Sequence, residues 1–208
     1  MIFKNRQEAG QKLAESLKKY SNNPQVLVLG LARGGVVLAA EVARLLNVSF
    51  DLVMTRKIGA PFNPELAIGA ITETGKGYFN ESLIRTLNVS KNYLDETIAS
   101  EKKEAEKRLA LYRKERKVPN LKEKIVILVD DGIATGSTMM AAALSTRSAG
   151  AKQILIAIPV APPSSLEFLA PAADQVICLY STEDFMAVSQ FYEEFSQVAD
   201  NEIFSLLH

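Results

Sequence analysis

The chain has 208 residues, 48% of them apolar, and its 24 basic and 24 acidic side chains cancel to a formal net charge of +0. This length and apolar content suit one α/β domain with a full core, and the balanced charge excludes the basic surplus that a nucleic-acid footprint needs. One cysteine, Cys178, excludes an internal disulfide and a cysteine-cluster zinc site; one histidine, the terminal His208, argues against a Ser-His-Asp or Cys-His hydrolase.

Residues 5–20 pattern as an amphipathic helix with Ala9, Leu13, Leu17 and Tyr20 on one face. The acids Glu8 and Glu15 argue against a transit peptide. No segment approaches the roughly 20 apolar residues that cross a bilayer, so a cytoplasmic protein that avoids membranes is expected, in keeping with the single cysteine. Residues 26–30 read as a buried strand and 35–46 as a helix. Between them LGLARGG, residues 29–35, offers an anion site: Gly34 and Gly35 let backbone approach, and Arg33 adds a bidentate donor. The plainer reading is a strand-to-helix turn with an exposed arginine.

Residues 50–55 form a second predicted strand, followed by Arg56 and Lys57. Residues 66–71 form a third, after the Pro-bracketed APFNP, and 72–89 read as irregular and polar with a helical piece at 81–87. Ser90 is a candidate N-cap for a long charged helix ending near 117, before Pro119. Its mixture of Glu101, Glu104 and Glu106 with Lys102, Lys103, Lys107 and Arg108 predicts a solvated helix supported by i,i+4 ion pairs. A second reading is an arm that packs on another copy of the chain, a homodimer contact through Leu94, Ile98, Ala105, Leu109 and Tyr112. The basic end (Arg113, Lys114, Arg116, Lys117) is too short and mixed to argue for RNA. Residues 72–120 are accordingly expected as a helical insertion within the single domain 1–208.

Residues 125–138, IVILVDDGIATGST, carry the most chemistry. A strand over 125–129, aliphatic enough to be buried on both faces, ends in Asp130 and Asp131, where open α/β sheets place their ligands. Gly132, Thr135, Gly136, Ser137 and Thr138 then supply backbone and hydroxyl donors, and an apolar run over 139–144 continues as a helix. Donors at a helix start favour an anion. Two carboxylates beside them suit a ligand with vicinal hydroxyls and a phosphate, or a bound metal; a sugar phosphate fits. Neither a P-loop lysine nor a G-x-G-x-x-G is present. A merely polar turn would not require two acids, two glycines and three hydroxyls in nine residues.

Strands over 153–158 and 175–179, separated by helical patterns, complete a strand–helix alternation that predicts a mainly parallel, doubly wound sheet. Cys178 is expected as a buried free thiol in the last of them. The stretch 180–195 holds Phe185, Phe191, Tyr192 and Phe195, mostly for core packing. Phe185, beside Glu183 and Asp184 near a strand end, is the candidate to stack on a base.

VILVDDGIATGST resembles the phosphoribosyl pyrophosphate (PRPP) signature of the type I phosphoribosyltransferases. The resemblance implies that Asp130 and Asp131 hold the ribose 2′ and 3′ hydroxyls and that the loop Ala134, Thr135, Gly136, Ser137 and Thr138 cradles the 5′-phosphate. LARGG resembles the pyrophosphate loop of that family, implying pyrophosphate contacts for Arg33, Gly34 and Gly35. TRKIGAPFNPE stands where the family keeps cations and a mobile loop that closes over PRPP. This implies Arg56 and Lys57 on the pyrophosphate and a lid built from Gly59, Pro61, Phe62, Asn63 and Pro64, whose turn chemistry suits opening and closing. The three motifs occur in the family order over about residues 25–180. Members that use 6-oxopurines carry an aspartate at the fifth position of the DD loop; here that position is Ala134, as in adenine-type loops, which speaks against hypoxanthine or guanine.

The expected reaction is therefore displacement of pyrophosphate from PRPP by a nitrogen base, with Asp130, Asp131, Arg33 and Lys57 carrying the catalysis. Mg²⁺ is expected near Asp130 and Asp131, held through water. Two rivals stand beside this reading: a PRPP-responsive regulator that has lost transfer, and an unrelated phosphosugar enzyme.

Overall fold

Five short, largely apolar runs form one parallel sheet. They are β1 (Val26–Leu31), β2 (Ser49–Val53), β6 (Ile125–Val129), β7 (Gln153–Ala161) and β8 (Gln175–Ser181), in the order β2-β1-β6-β7-β8. The structure, a computed structural model, describes residues 1–114 and 116–208; position 115, inside the predicted charged helix, lies outside the described residues. Alternation along each strand sorts its side chains onto two faces, both covered by helices. Val26, Val28, Ile127, Val129 and Leu155 pack under α1 (Arg6–Ser16) and α2 (Gly34–Leu46). Leu27, Leu29, Val126, Leu128 and Ile156 pack under α5 (Ser137–Ser148) and α6 (Pro163–Leu169). The doubly wound α/β architecture expected from the sequence forms. One detail differs: Cys178 is a free thiol but only half-buried, because β8 is an edge strand covered less completely than the centre.

The segment after β2 departs from expectation. Thr55 opens a second, antiparallel sheet of β3 (Thr55–Ala60), β4 (Asn63–Thr72) and β5 (Gly77–Phe79). Residues 59–64, expected as a loop, thus form a hairpin: Gly59 belongs to β3, Pro61 and Phe62 make the turn, and Asn63 and Pro64 begin β4. Pro64 is tolerated because the register jumps from Gly59↔Ala67 to Ala60↔Asn63, which leaves it in a bulge without a ladder bond to donate. The run over 66–71 joins this sheet, and the polar stretch after it contains β5 and α3 (Glu81–Thr86). A three-residue strand is too short to show a period, so β5 leaves no pattern to read.

Helix α4 (Lys91–Arg113) starts where its cap predicts: Ser90 Oγ accepts from the Tyr93 N–H at 3.2 Å. It stops at Arg113, short of the expected end near 117. Leu94 and Ile98 pack on the small sheet, and Ala105, Leu109 and Tyr112 pack with α2 and α7 (Asp200–Leu207). Of the apolar face considered for a second subunit, Ala105 and Tyr112 are thereby buried within the chain and Leu94, Ile98 and Leu109 half-buried. The expected ion pairs do line the helix, with Arg108–Glu104 at 2.9 Å and Lys102–Glu106 at 3.7 Å. Arg113 leaves the expected basic end altogether. It is buried against Asp51 at 3.2 Å and donates to the Leu52 carbonyl at 2.9 Å. Among the described residues no helix is long and apolar enough to cross a membrane.

Ile127, fully buried at the centre of the parallel sheet, should be a stability anchor. Ile127→Ala is expected to cost about 2–5 kcal/mol, read as a lower urea midpoint with the slope unchanged. An unchanged midpoint would contradict the central placement of β6.

Candidate functional site

The chain turns outward to β2 after β1 and the opposite way to β7 after β6, so a crevice opens where these adjacent strands end. Open α/β sheets bind ligands at such a switch point. From β1 comes the turn into α2, with Arg33 as its N-cap and Gly34 and Gly35 as its first residues. From β6 come Asp130 and Asp131. The two loops press together so closely that a side chain on either glycine has no room. A Cβ on Gly34 would lie 2.0 Å from Asp131 Oδ2, and one on Gly35 would lie 2.5 Å from the Val129 carbonyl oxygen. These glycines are required by that approach; in the sequence they read as an anion loop, and the contact with the acids is visible only in the fold.

The rest of the loop is fixed by its surroundings. Gly132 lies against Val188, where a Cβ would come within 2.6 Å. The Ile133 N–H donates to the Val160 carbonyl at 3.0 Å, and Ser165 Oγ donates to the Ala134 carbonyl at 2.6 Å. Gly136 adopts a left-handed φ of 81° and caps α5 without a side chain. The first N–H groups of that helix, at Ser137 and Thr138, therefore meet no capping side chain and remain available to an anion.

The acid pair is electrostatically loaded. Burial, and then the neighbouring charge of Asp131, push the Asp130 carboxyl well above the usual carboxylate range. The Asp131 N–H, which donates to Asp130 Oδ1 at 2.9 Å, opposes this, as do Arg6 and the Gly35 N–H. Asp131 is also raised by burial, and Arg6 pulls it back through an ion pair of 2.7 Å from Nε to Oδ2. Tyr192 Oη donates to the Asp131 carbonyl at 2.5 Å, and burial together with that acid raises the phenol. Sequence reasoning does not single out Arg6 or Tyr192. Arg6 sits 125 positions from Asp131 in an ordinary charged helix, with no motif around it; Tyr192 stands out only as one aromatic among several.

The cations divide. Neighbouring residues on a strand face opposite ways, so Arg56 and Lys57 do not reach the same place. Arg56 is taken by Glu101 of α4 at 2.6 Å. Lys57, paired with Glu65 at 3.0 Å, lines a cavity of about 460 Å³ together with Thr135, Ser137 and Phe168. That cavity lies between the small sheet and the donor loop. Arg33 pairs loosely with Asp200 at 3.7 Å, and Tyr112 Oη donates to the same carboxylate at 2.6 Å. Phe185 is half-buried against Phe191, ring centroids 5.2 Å apart, and packs on the core beneath α1 and α2. It is not among the residues lining the cavity beside Thr135 and Ser137.

A family model described as a phosphoribosyl transferase domain matches residues 2–195. Two proteins of Mycobacterium tuberculosis, from strains H37Rv and CDC 1551 and both provisionally named phosphoribosyl transferases, are 38% identical over 206 residues. Those alignments take in 99% of this chain but 46% of the relatives, so the chain spans about half their length. Among solved structures, TT1426 from Thermus thermophilus superposes with a TM-score of 0.84 at 39% identity, covering 100% of this chain and 98% of that one. A purine phosphoribosyltransferase from Pyrococcus horikoshii shares the fold, with a TM-score of 0.50 at 19% identity over 92% of this chain and 90% of its own.

The contact of the two loops makes a direct prediction. Gly35→Ala forces a methyl group against backbone and should cost about 1–3 kcal/mol as overpacking, seen as a lower thermal midpoint. Wild-type stability in this variant would show that the loops do not touch.

Proposed function

Because the chain belongs to the phosphoribosyl transferase domain family, we propose that its crevice binds PRPP with Mg²⁺ and transfers the 5-phosphoribosyl group to a nitrogen base. The observation that carries this reading is the meeting of two largely buried, adjacent carboxylates and an uncapped helix start at one switch point. A phosphate and a vicinal diol on one ligand satisfy both at once. The 5′-phosphate takes the N–H and hydroxyl donors of residues 134–138, and the ribose hydroxyls donate to Asp130 and Asp131. Asp131 is engaged through Oδ2 and Asp130 through Oδ1; the second oxygen of each accepts from no side-chain donor among the described residues. One oxygen per acid therefore suits one hydroxyl each.

In the reaction a base nitrogen forms a bond to the ribose C1 carbon as the C1–oxygen bond breaks. Pyrophosphate leaves with the bonding pair, and the base loses its proton. Arg33, from the LARGG turn, and Lys57, from the small sheet, supply positive charge to the departing group, where such charge contributes most in the transition state. The acids offset positive charge that builds on the ribose. Mg²⁺ would be held through water by Asp130 and Asp131 and would neutralise pyrophosphate oxygens. The donor set fits: Asp130 and Asp131 offer adjacent hard oxygen donors, and a hard cation that keeps several of its waters needs few ligands from the protein. With Ala134 in place of an aspartate, adenine-like or other non-6-oxopurine acceptors suit the loop best.

Two measurements test this. Asp130→Asn and Asp131→Asn should each weaken PRPP binding about ten- to a hundredfold, the contribution of a charge-assisted hydrogen bond, while circular dichroism stays unchanged; unaltered affinity in both would remove the ribose assignment. Incubation with PRPP, Mg²⁺ and a panel of bases should release pyrophosphate, more slowly in Arg33→Ala and Lys57→Ala. Tight PRPP binding with no release for any base would make the domain a sensor and not a transferase.

A further inference from the structure

We infer that Arg6 is a positioning residue for the site: it orients the Asp131 carboxylate toward the ribose and ties the segment at 192–196 to the β6 loop beside it. This rests on the reading of Asp130 and Asp131 as the ribose ligands. Arg6 lies in the first turn of α1, far from the site in sequence, yet its side chain is only 11% exposed and that of Asp131 14%. The guanidinium is held on three sides. Nε donates to Asp131 Oδ2 at 2.7 Å, Nη1 donates to the Ser196 carbonyl at 2.8 Å, and the Phe195 ring lies 3.9 Å below.

The planar fork explains why arginine suits this place, since one group bonds two partners at a fixed angle while its face stacks on a ring. Space is reserved for the pair as well. The atom missing from Gly34 would sit 2.0 Å from Asp131 Oδ2 and 3.1 Å from Arg6 Nε. Two carboxylates buried side by side repel, and a carboxylate free to turn would leave the other for the first donor available. Arg6 removes that freedom. It compensates one of the two charges and takes Oδ2, which leaves Oδ1 as the oxygen that meets a ligand. Tyr192, bonded to the Asp131 carbonyl, fastens the same segment from its other end.

A simple stabilising ion pair would lower binding of every ligand alike, or none. Positioning acts through Asp131 alone. Calorimetry with two probes, ribose 5-phosphate and inorganic phosphate, separates these in Arg6→Gln, Asp131→Asn and the double variant. Arg6→Gln should weaken ribose 5-phosphate about tenfold, the scale of a charge-assisted bond, and leave inorganic phosphate within about twofold. In the Asp131→Asn background the same change should have almost no further effect, because residues that act as a unit are not additive. Equal losses for both probes, or an undiminished Arg6 effect without Asp131, overturns the inference and leaves the ribose reading standing. Unchanged ribose 5-phosphate affinity in Asp131→Asn removes the ribose reading itself, and the inference with it. If Arg6→Gln does not fold, Arg6→Lys, which keeps the charge and loses the fork, runs the same cycle with the same expected pattern.

Discussion

Everything around the crevice is arranged about two largely buried carboxylates side by side at the end of β6. Such a pair is costly: each charge loses water, and each opposes the other. The structure offsets this from several directions at once. Arg6 reaches in from α1, the Asp131 N–H turns back onto Asp130, and the Gly35 N–H approaches from the β1 loop. The approach of that loop is possible only because Gly34 and Gly35 carry no side chain. A purely structural turn would not keep so unfavourable a pair, and the crevice owes its chemistry to it.

The ion pairs of the chain fall into buried and exposed sets. Arg113–Asp51 is almost fully buried, and removing one partner of such a pair costs about 3–5 kcal/mol; Arg6–Asp131 is largely but not fully buried. Lys57–Glu65 and Arg33–Asp200 are exposed pairs, with Glu65 92% and Asp200 57% exposed. Exposed pairs contribute about 0–1 kcal/mol, so on the proposed reading an incoming phosphate group would replace Glu65 on Lys57 at small cost. This division suits a platform that holds its acids still while its cations change partner. Lys57 rides on the small antiparallel sheet, a separate layer from the parallel one, whose strands and α4 form their own apolar cluster.

Legibility in the sequence follows the range of each interaction. The parallel strands and the loop at 130–138 are readable because their causes are local: continuous aliphatic runs, a glycine in a left-handed turn, acids at a strand end. Gly34 and Gly35 are readable as glycines that permit a close backbone approach, and what they approach most closely in the structure is the acid pair and its strand. The hairpin at 59–64 misleads because prolines and a glycine look like a loop unless a bulge absorbs them, and a bulge depends on the partner strand. Arg56 and Lys57, adjacent in sequence, are expected together; strand alternation, visible only once β3 is known to extend to Ala60, parts them. Arg6 has no local signal at all, since its role depends on the fold bringing α1 across to β6.

The central claim is that one ligand, a ribose phosphate, spans the acids and the donor loop at the junction of β1 and β6. A crystal structure of the protein with ribose 5-phosphate tests it most directly. The account predicts the phosphate on the N–H groups of residues 134–138 and the two ring hydroxyls on Asp130 and Asp131, with Arg6 still bonded to Asp131 Oδ2. Ribose 5-phosphate bound elsewhere, or bound there with its hydroxyls turned away from both acids, would contradict it.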